Sequence, residues 1–511
     1  MTEPNPPATN GLRARSREQA AAIAALLVTL GTILATLGPQ VQLGVGYDDA
    51  IYVDLGRSLA DGEGYRHGYL PGNPPAVHYP PLFPFWLALW TTVGRWSADH
   101  AAWLSLGNVA LASASAALWA WWGVRALRLP PWVAAAAASA STLVFPARML
   151  IALAFSEPLS WTLLGAAALV STSTGRRSPR LLLIGLLPLV RTILLPFAFT
   201  AALGEASDRR SSALRRASGI LLALLPTSLW TLWSGMRAGE LPPAWAGSYG
   251  TYTQMYASSS FQATDVLLII WLQARTLSAM LADMFTIPGA LVVLACLTIG
   301  AIRLTRTHPW LGWGMIGYLA LILIWPFTPE RFVWGLLPLL ALIASDGAAT
   351  ILRRVWTAPI ARVATIAALL LPVVWYGRAT IKAYTATAWL APLRAVSERN
   401  APLVRWGRAL STRAPVATET DGLFALATGL PSFPIVSPDP ADKVGRGTPI
   451  AGRVEQSLCT VGDGYIALTT LDSDVAEAVR TLVRDSASRV SFSPPEQIGN
   501  GAVVARFSCS R

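Results

Sequence analysis

Along its length the chain alternates long apolar runs with short polar segments of two kinds, some rich in arginine and others in Asp, Gly, Pro and Tyr. A helix needs about 20 mostly apolar residues to cross a membrane. The run 20–37 meets that requirement and follows Arg13, Arg15 and Arg17. No small-x-small pattern precedes Gly38-Pro39, so the run reads as an uncleaved first helix behind a cytoplasmic tail, residues 1–19. A polar stretch, 38–79, then opens an outer loop that extends over 38–100. The segment 82–96 is apolar but short and begins after Pro80-Pro81, which predicts a helix lying on the outer surface. Charge agrees: only if it does not cross do Arg125 and Arg128, after the run 101–124, stay cytoplasmic.

The same reasoning predicts crossings at 132–150, 158–172, 219–236, 285–301, 310–327, 332–351 and 360–376. The run 181–202 is interrupted by Arg191 and reads as two short, broken spans. Segment 266–284 contains Gln273, Arg275 and Asp283, and is expected to be a second amphipathic helix on the outer surface. The total is about eleven crossings, N-terminus inside and C-terminus outside, with every arginine cluster on the inner face. From about residue 378 the apolar runs shrink to strand length, at 415–418, 465–468, 489–492 and 502–507. Between them 474–484 has helical spacing, with Val475, Ala478, Val479 and Leu482 on one face. The expected architecture is mainly α: a polytopic membrane domain over 20–377 and a small extracytoplasmic α/β domain over 378–511.

Composition narrows the function. Of 511 residues 53% are hydrophobic and 13% charged, with mean hydropathy +0.47; soluble domains carry about 25% charged residues. A disordered chain, a nucleic-acid arm and an ordinary soluble enzyme are excluded. The net charge of +12 comes from 40 Lys+Arg, of which only Lys382 and Lys443 are lysines. Their placement between apolar runs suits a membrane and not nucleic acid. Cys459 and Cys509 both fall in the outer domain, where a disulfide is permitted and would tie the C-terminus back. No C-x-x-C pair occurs, and no metal-ligand set or cofactor motif is evident.

Ionisable groups at the mouth of a membrane bundle are costly and mark function. Here they converge on the outer face: Asp48, Asp49 and Asp54, then His78 and Tyr79, Arg148, Glu157, Arg191, Glu330 and Arg331. Carboxylates beside arginines suit a reaction at an anionic phosphate with a carboxylate base. Simpler readings exist for each. The loop acids could be solvated, Glu157 could favour its helix dipole, Arg191 could snorkel, and Glu330 and Arg331 could pair with each other. His78 could be structural, and Tyr249, Tyr252 and Tyr256 an interfacial belt.

The order of the motifs nevertheless resembles a family. Gly46-Tyr-Asp-Asp-Ala-Ile-Tyr52 followed by His78-Tyr-Pro-Pro-Leu82 is similar to the first outer loop of the GT-C glycosyltransferases. The resemblance is nearest to the branch of the aminoarabinose lipid A transferases and protein O-mannosyltransferases. Ser156-Glu-Pro-Leu159, Leu189-Val-Arg-Thr192 and Pro329-Glu-Arg-Phe-Val-Trp334 match its later acidic, basic and Arg-aromatic positions. The resemblance implies a polyprenyl-phosphate-linked sugar as donor, a lipid, glycan or protein acceptor, and inversion at the anomeric carbon outside the cytoplasmic membrane. It places the catalytic base on Asp48, with Asp49 as the competing assignment and Glu157 as the second acid. Arg191, Arg331 and Arg148 would bind the donor phosphate; Tyr52, His78, Tyr79 and Glu330 would contact substrate. The family often has Glu-Lys where this chain has His78-Tyr79. A transporter or flippase of lipid-linked sugars would show inverted repeats, and none is visible. A polysaccharide ligase or polymerase using pyrophosphate-linked donors would share the arginines but carry a long outer loop late in the chain.

Overall fold

The computed structural model describes residues 9–36, 41–94, 101–172, 177–385, 388–470, 473–499 and 501–510. Residues 1–8 of the expected tail, 95–100 at the end of the first outer loop, and Arg176 lie outside them.

Among the described residues five helices are long and apolar enough to cross a membrane: Arg15–Ala35, Ala102–Ala126, Ala213–Glu240, Asp265–Thr307 and Pro359–Thr385. A sixth arises if Pro131–Leu143 and Phe145–Ala152, bent by 61°, count as one span. The expectation of about eleven crossings is therefore corrected, and length is the physical reason. Glu157–Ser171 has 15 residues, Arg177–Val190 has 14, Leu195–Ser207 has 13 and Pro309–Ile324 has 16. At about 1.5 Å per residue even 16 residues reach roughly 24 Å, short of the ~30 Å hydrocarbon core. Leu337–Val355 is long enough at 19 residues but carries Asp346, Arg353 and Arg354. The segments read separately as 266–284 and 285–301 belong to one 43-residue stretch that kinks at Thr286 (φ 62°, ψ 162°), two residues before Pro288. The long helices turn apolar side chains outward, among them Leu267, Leu291, Ile360 and Val363, as spans facing lipid do.

One end of the bundle gathers basic residues. Glu18 near the start of the first span accepts from Trp121 Nε1 at 2.9 Å and lies 3.9 Å from Arg125. The first two spans thus run antiparallel, and the helix Leu82–Gly94 between them, at 13 residues, is shorter than a span. Arg303 pairs with buried Asp346 at 2.7 Å, and buried Glu205 holds both Arg177 and Arg180.

The opposite end carries a mixed sheet formed by the C-terminal residues. Its strands are β1 (Val416–Thr418), β2 (Ser432–Pro434), β3 (Asp463–Leu468), β4 (Val490–Phe492), β5 (Glu496–Gln497) and β6 (Val503–Cys509). The order is β2-β1-β3-β6-β4, with β5 on β6. β2, β1 and β3 are parallel, whereas β6 runs antiparallel to β3, β4 and β5. Helix Asp474–Arg484 lies where its spacing predicts. A disulfide joins Cys459 to Cys509 across a Cα separation of 5.3 Å, and Cys296 is free and buried.

Candidate functional site

Four chain breaks deliver the central side chains. Tyr47, in the left-handed region (φ 66°), turns the chain into helix Asp48–Ala60, so Asp48 is its first residue. Glu157 opens the helix Glu157–Ser171 with Pro158 behind it, a position where proline has no amide to lose. Arg191 is extended (φ −151°, ψ 126°) between Arg177–Val190 and the one-turn helix Thr192–Leu194. Arg331 sits in the short helix Glu330–Trp334.

These four meet as an alternating chain of charge. Arg331 Nη1 donates to Asp48 Oδ2 at 2.5 Å, and its Nε to Glu157 Oε1 at 2.7 Å. Arg191 Nη1 donates to the same Glu157 oxygen. Tyr79 Oη donates to the other Asp48 oxygen at 2.9 Å. The guanidiniums are also faced by rings: Arg331 over Phe155 at 3.8 Å and Arg191 over Phe332 at 5.2 Å. Glu157 is fully buried. Burial opposes its ionised form, but Arg191 and Arg331 outweigh burial and hold the carboxyl below its ordinary range. Arg331 in turn is held firmly protonated against its burial by Glu157 and Asp48.

The cluster opens into a cavity of about 600 Å³ between the helical bundle and the sheet. Asp48, Tyr52, His78, Tyr79, Arg191 and Arg331 all line it. Tyr52 Oη is 3.2 Å from Ser156 Oγ, and burial pushes its phenol up to about 12. His78 Nδ1 is 2.6 Å from the Gly250 carbonyl, and burial lowers its pKa, favouring the neutral ring.

Three expected site residues lie elsewhere. Asp49 faces away and accepts from the Gly44 and Gly46 amides at 2.7 and 3.0 Å. Arg148 is buried, donates to the Thr36 carbonyl at 2.9 Å and stacks over Trp389. Glu330 lines a separate, largely apolar groove of about 810 Å³ beside the long Asp265–Thr307 helix. Sequence reasoning did not assign Trp325, Thr418 or Glu419 to the site, although all three line the central cavity. The latter two come from the C-terminal domain, and no local pattern ties them to Asp48. Gln273, read as a sign of a surface helix, is buried and donates to the Trp325 and Phe327 carbonyls, which follow helix Pro309–Ile324. Among the described residues no group of three or more His, Cys, Asp or Glu is disposed to hold a metal.

No protein-family model and no curated protein sequence matches the chain. Among solved structures, ArnT from Cupriavidus metallidurans in the apo state is 14% identical, with TM-score 0.48, covering 98% of each chain. The apo oligosaccharyltransferase of Archaeoglobus fulgidus is 12% identical (TM-score 0.46), over 89% of this chain and 69% of that one. AglB from Archaeoglobus fulgidus, in complex with an inhibitory peptide and a dolichol-phosphate, is 10% identical (TM-score 0.47), over 93% and 71%. Likeness at this level assigns neither a fold nor an activity.

Proposed function

We propose that the protein is a membrane glycosyltransferase that moves a sugar from a polyprenyl-phosphate donor to an acceptor hydroxyl, with inversion, on the outer face of the cytoplasmic membrane. The observation that carries this reading is the Asp48–Arg331–Glu157–Arg191 chain at the mouth of a membrane bundle. Its two guanidiniums are at present neutralised by two carboxylates. A donor phosphate competes for the same donors, since arginine presents its N–H groups in a fork that fits phosphate. When Arg331 turns to phosphate, Asp48 gives up its partner and becomes a free base. The acceptor oxygen then attacks the anomeric carbon, the bond from that carbon to the phosphate oxygen breaks, and the hydroxyl proton passes to Asp48. Arg331 and Arg191 stabilise the charge on the departing polyprenyl phosphate. Glu157 stays buried and holds both arginines in place, and Tyr79 keeps Asp48 aimed. The groove beside Glu330 and Trp334, lined by Leu272, Met280 and Trp375, offers apolar surface to the lipid chain next to Arg331.

The test is release of polyprenyl phosphate by protein in lipid nanodiscs, given polyprenyl-phosphate-linked hexoses and pentoses with a membrane extract as acceptor. Asp48→Asn is expected to lower turnover by about 10²–10⁴-fold while leaving binding of polyprenyl phosphate near wild type. Arg331→Ala is expected to weaken that binding as well. Undiminished release by Asp48→Asn would remove this mechanism.

A further inference from the structure

The roof of the central cavity is made by the C-terminal domain, and it is made by one edge of the sheet. β2, β1 and β3 are parallel, with Thr418 in register with Pro434 and with Ala467. Their carboxyl ends all point at the bundle. The domain's lining residues are Thr418, Glu419, Pro434, Val436, Pro438 and Val475, each at or beyond the end of a parallel strand. In open sheets with parallel strands, ligands bind outside the carboxyl ends, where successive connections part. Here β1 lies between β2 and β3, and Thr418 and Glu419 stand at that central end.

Two polar features of this edge are not explained by the packing. Thr418 is buried among the residues that line the cavity, and its hydroxyl has no hydrogen-bond partner among the described residues. A hydroxyl so placed is costly unless something pairs with it. Glu419 is fixed through one oxygen, Oε2, which accepts from the Thr469 hydroxyl at 2.6 Å and from its amide at 3.4 Å. Trp325 also lines the cavity, and its indole N–H is likewise buried and unpartnered among the described residues. An anchored carboxylate, a hydroxyl and an indole donor around one space pair with a molecule bearing several hydroxyls. They do not suit a second phosphate, which the carboxylate would repel.

We infer that Glu419 and Thr418, at the carboxyl edge of the parallel strands, form with Trp325 a saccharide-hydroxyl subsite that roofs the Asp48 cavity. The inference rests on the proposed glycosyltransferase reading and adds the part of the cavity that selects the sugar. The hydroxyls belong either to the sugar carried on the donor or to a glycan acceptor, and binding measurements separate the two.

Wild type, Glu419→Gln and Thr418→Val are compared in nanodiscs for binding of three probes: polyprenyl phosphate, polyprenyl-phosphate-linked sugars, and free methyl glycosides. Polyprenyl phosphate is expected to bind all three proteins equally. If the roof reads the donor, both variants weaken the sugar-linked lipid about tenfold or more and leave the bare lipid unchanged. If it reads the acceptor, both lipids bind normally and the methyl glycosides are lost. Equal binding of every probe by wild type and both variants overturns the subsite. Failure of wild type to bind either lipid overturns the glycosyltransferase reading instead. Equal loss of all probes, bare lipid included, marks a folding defect of the roof and likewise overturns a specific subsite.

Discussion

Asp48 and Asp49 are neighbours in sequence with opposite surroundings, and that contrast separates their roles. Asp48 faces the cavity and accepts hydrogen bonds from Arg331 and Tyr79. Asp49 is enclosed, its pKa raised to about 6 by burial despite the Gly44 and Gly46 amides that stabilise its charge. Asp49→Ala is expected to cost about 1–3 kcal/mol, because two enclosed amides lose their acceptor. A lowered melting temperature with turnover retained would show this; loss of turnover in a normally stable Asp49→Asn protein would return the base role to Asp49. Asp421 gives a pH dependence. Burial raises its pKa from 3.8 to about 6, while the Tyr249 hydroxyl, 2.5 Å from Oδ2, partly offsets that rise. The folded state therefore holds this proton more tightly than the unfolded state. Its contribution to stability is complete below about 3.8 and is lost as pH rises through about 6. Asp421→Asn keeps an acceptor for Tyr249 but cannot titrate, so its melting temperature should fall less than wild type's between these values; parallel pH profiles would refute the assignment. The sequence reading drew Asp48, Glu157, Arg191 and Arg331 to one face because the arginine-based topology puts each of them on the outer side. It could not separate them from Arg148, which that topology puts on the same side and which packs instead on Trp389.

At the level of elements, periodicity and breaks were legible and length was not. Arg191 splits its run where the charge predicts, and the boundary drawn between 284 and 285 falls next to the Thr286 kink. The miscount came from counting apolar runs whose helices are too short to span as crossings. A helix of 13 to 16 residues buried against other helices has the same composition as the middle of a span, so hydropathy alone does not tell them apart. Four strands of the C-terminal domain, β1, β3, β4 and β6, lie where the apolar runs shrink to strand length. β2, three residues that end in Pro434, and β5, only two polar residues, do not. The disulfide is the covalent element here, joining helix Ile450–Val461 to the end of β6. Replacing both Cys459 and Cys509 by Ser is expected to destabilise the domain by roughly 2–4 kcal/mol. Earlier protease cleavage within 450–510 would report it, and unchanged cleavage kinetics under reducing and oxidising conditions would count against it.

For the whole molecule the two ends of the bundle differ in kind. One end pairs the arginines of the helix termini with Glu18, Glu205 and Asp346; the other carries the cavity and the sheet. The ends are held apart by the long helices, whose outward apolar side chains require lipid around them. A donor whose phosphate is tethered to a membrane lipid can reach a cavity at only one of those ends, so sidedness is a condition of the proposed chemistry. The positive-inside rule puts the arginine end in the cytoplasm and the cavity outside. The protein is suited to testing this, because its native cysteines are a buried free thiol and a disulfide and give little background. A cysteine at Ala126, beside Arg125 at the arginine end, should react with a membrane-impermeant maleimide only after the cytoplasmic side is opened. A cysteine at Ser411, exposed ahead of β1, should react in intact spheroplasts. The reverse pattern would turn the cavity to the cytoplasm, where the donor's sugar would have to be displayed on the inner leaflet. Labelling of both positions from one side would contradict the placement of the paired arginines and the sheet at opposite ends of the bundle.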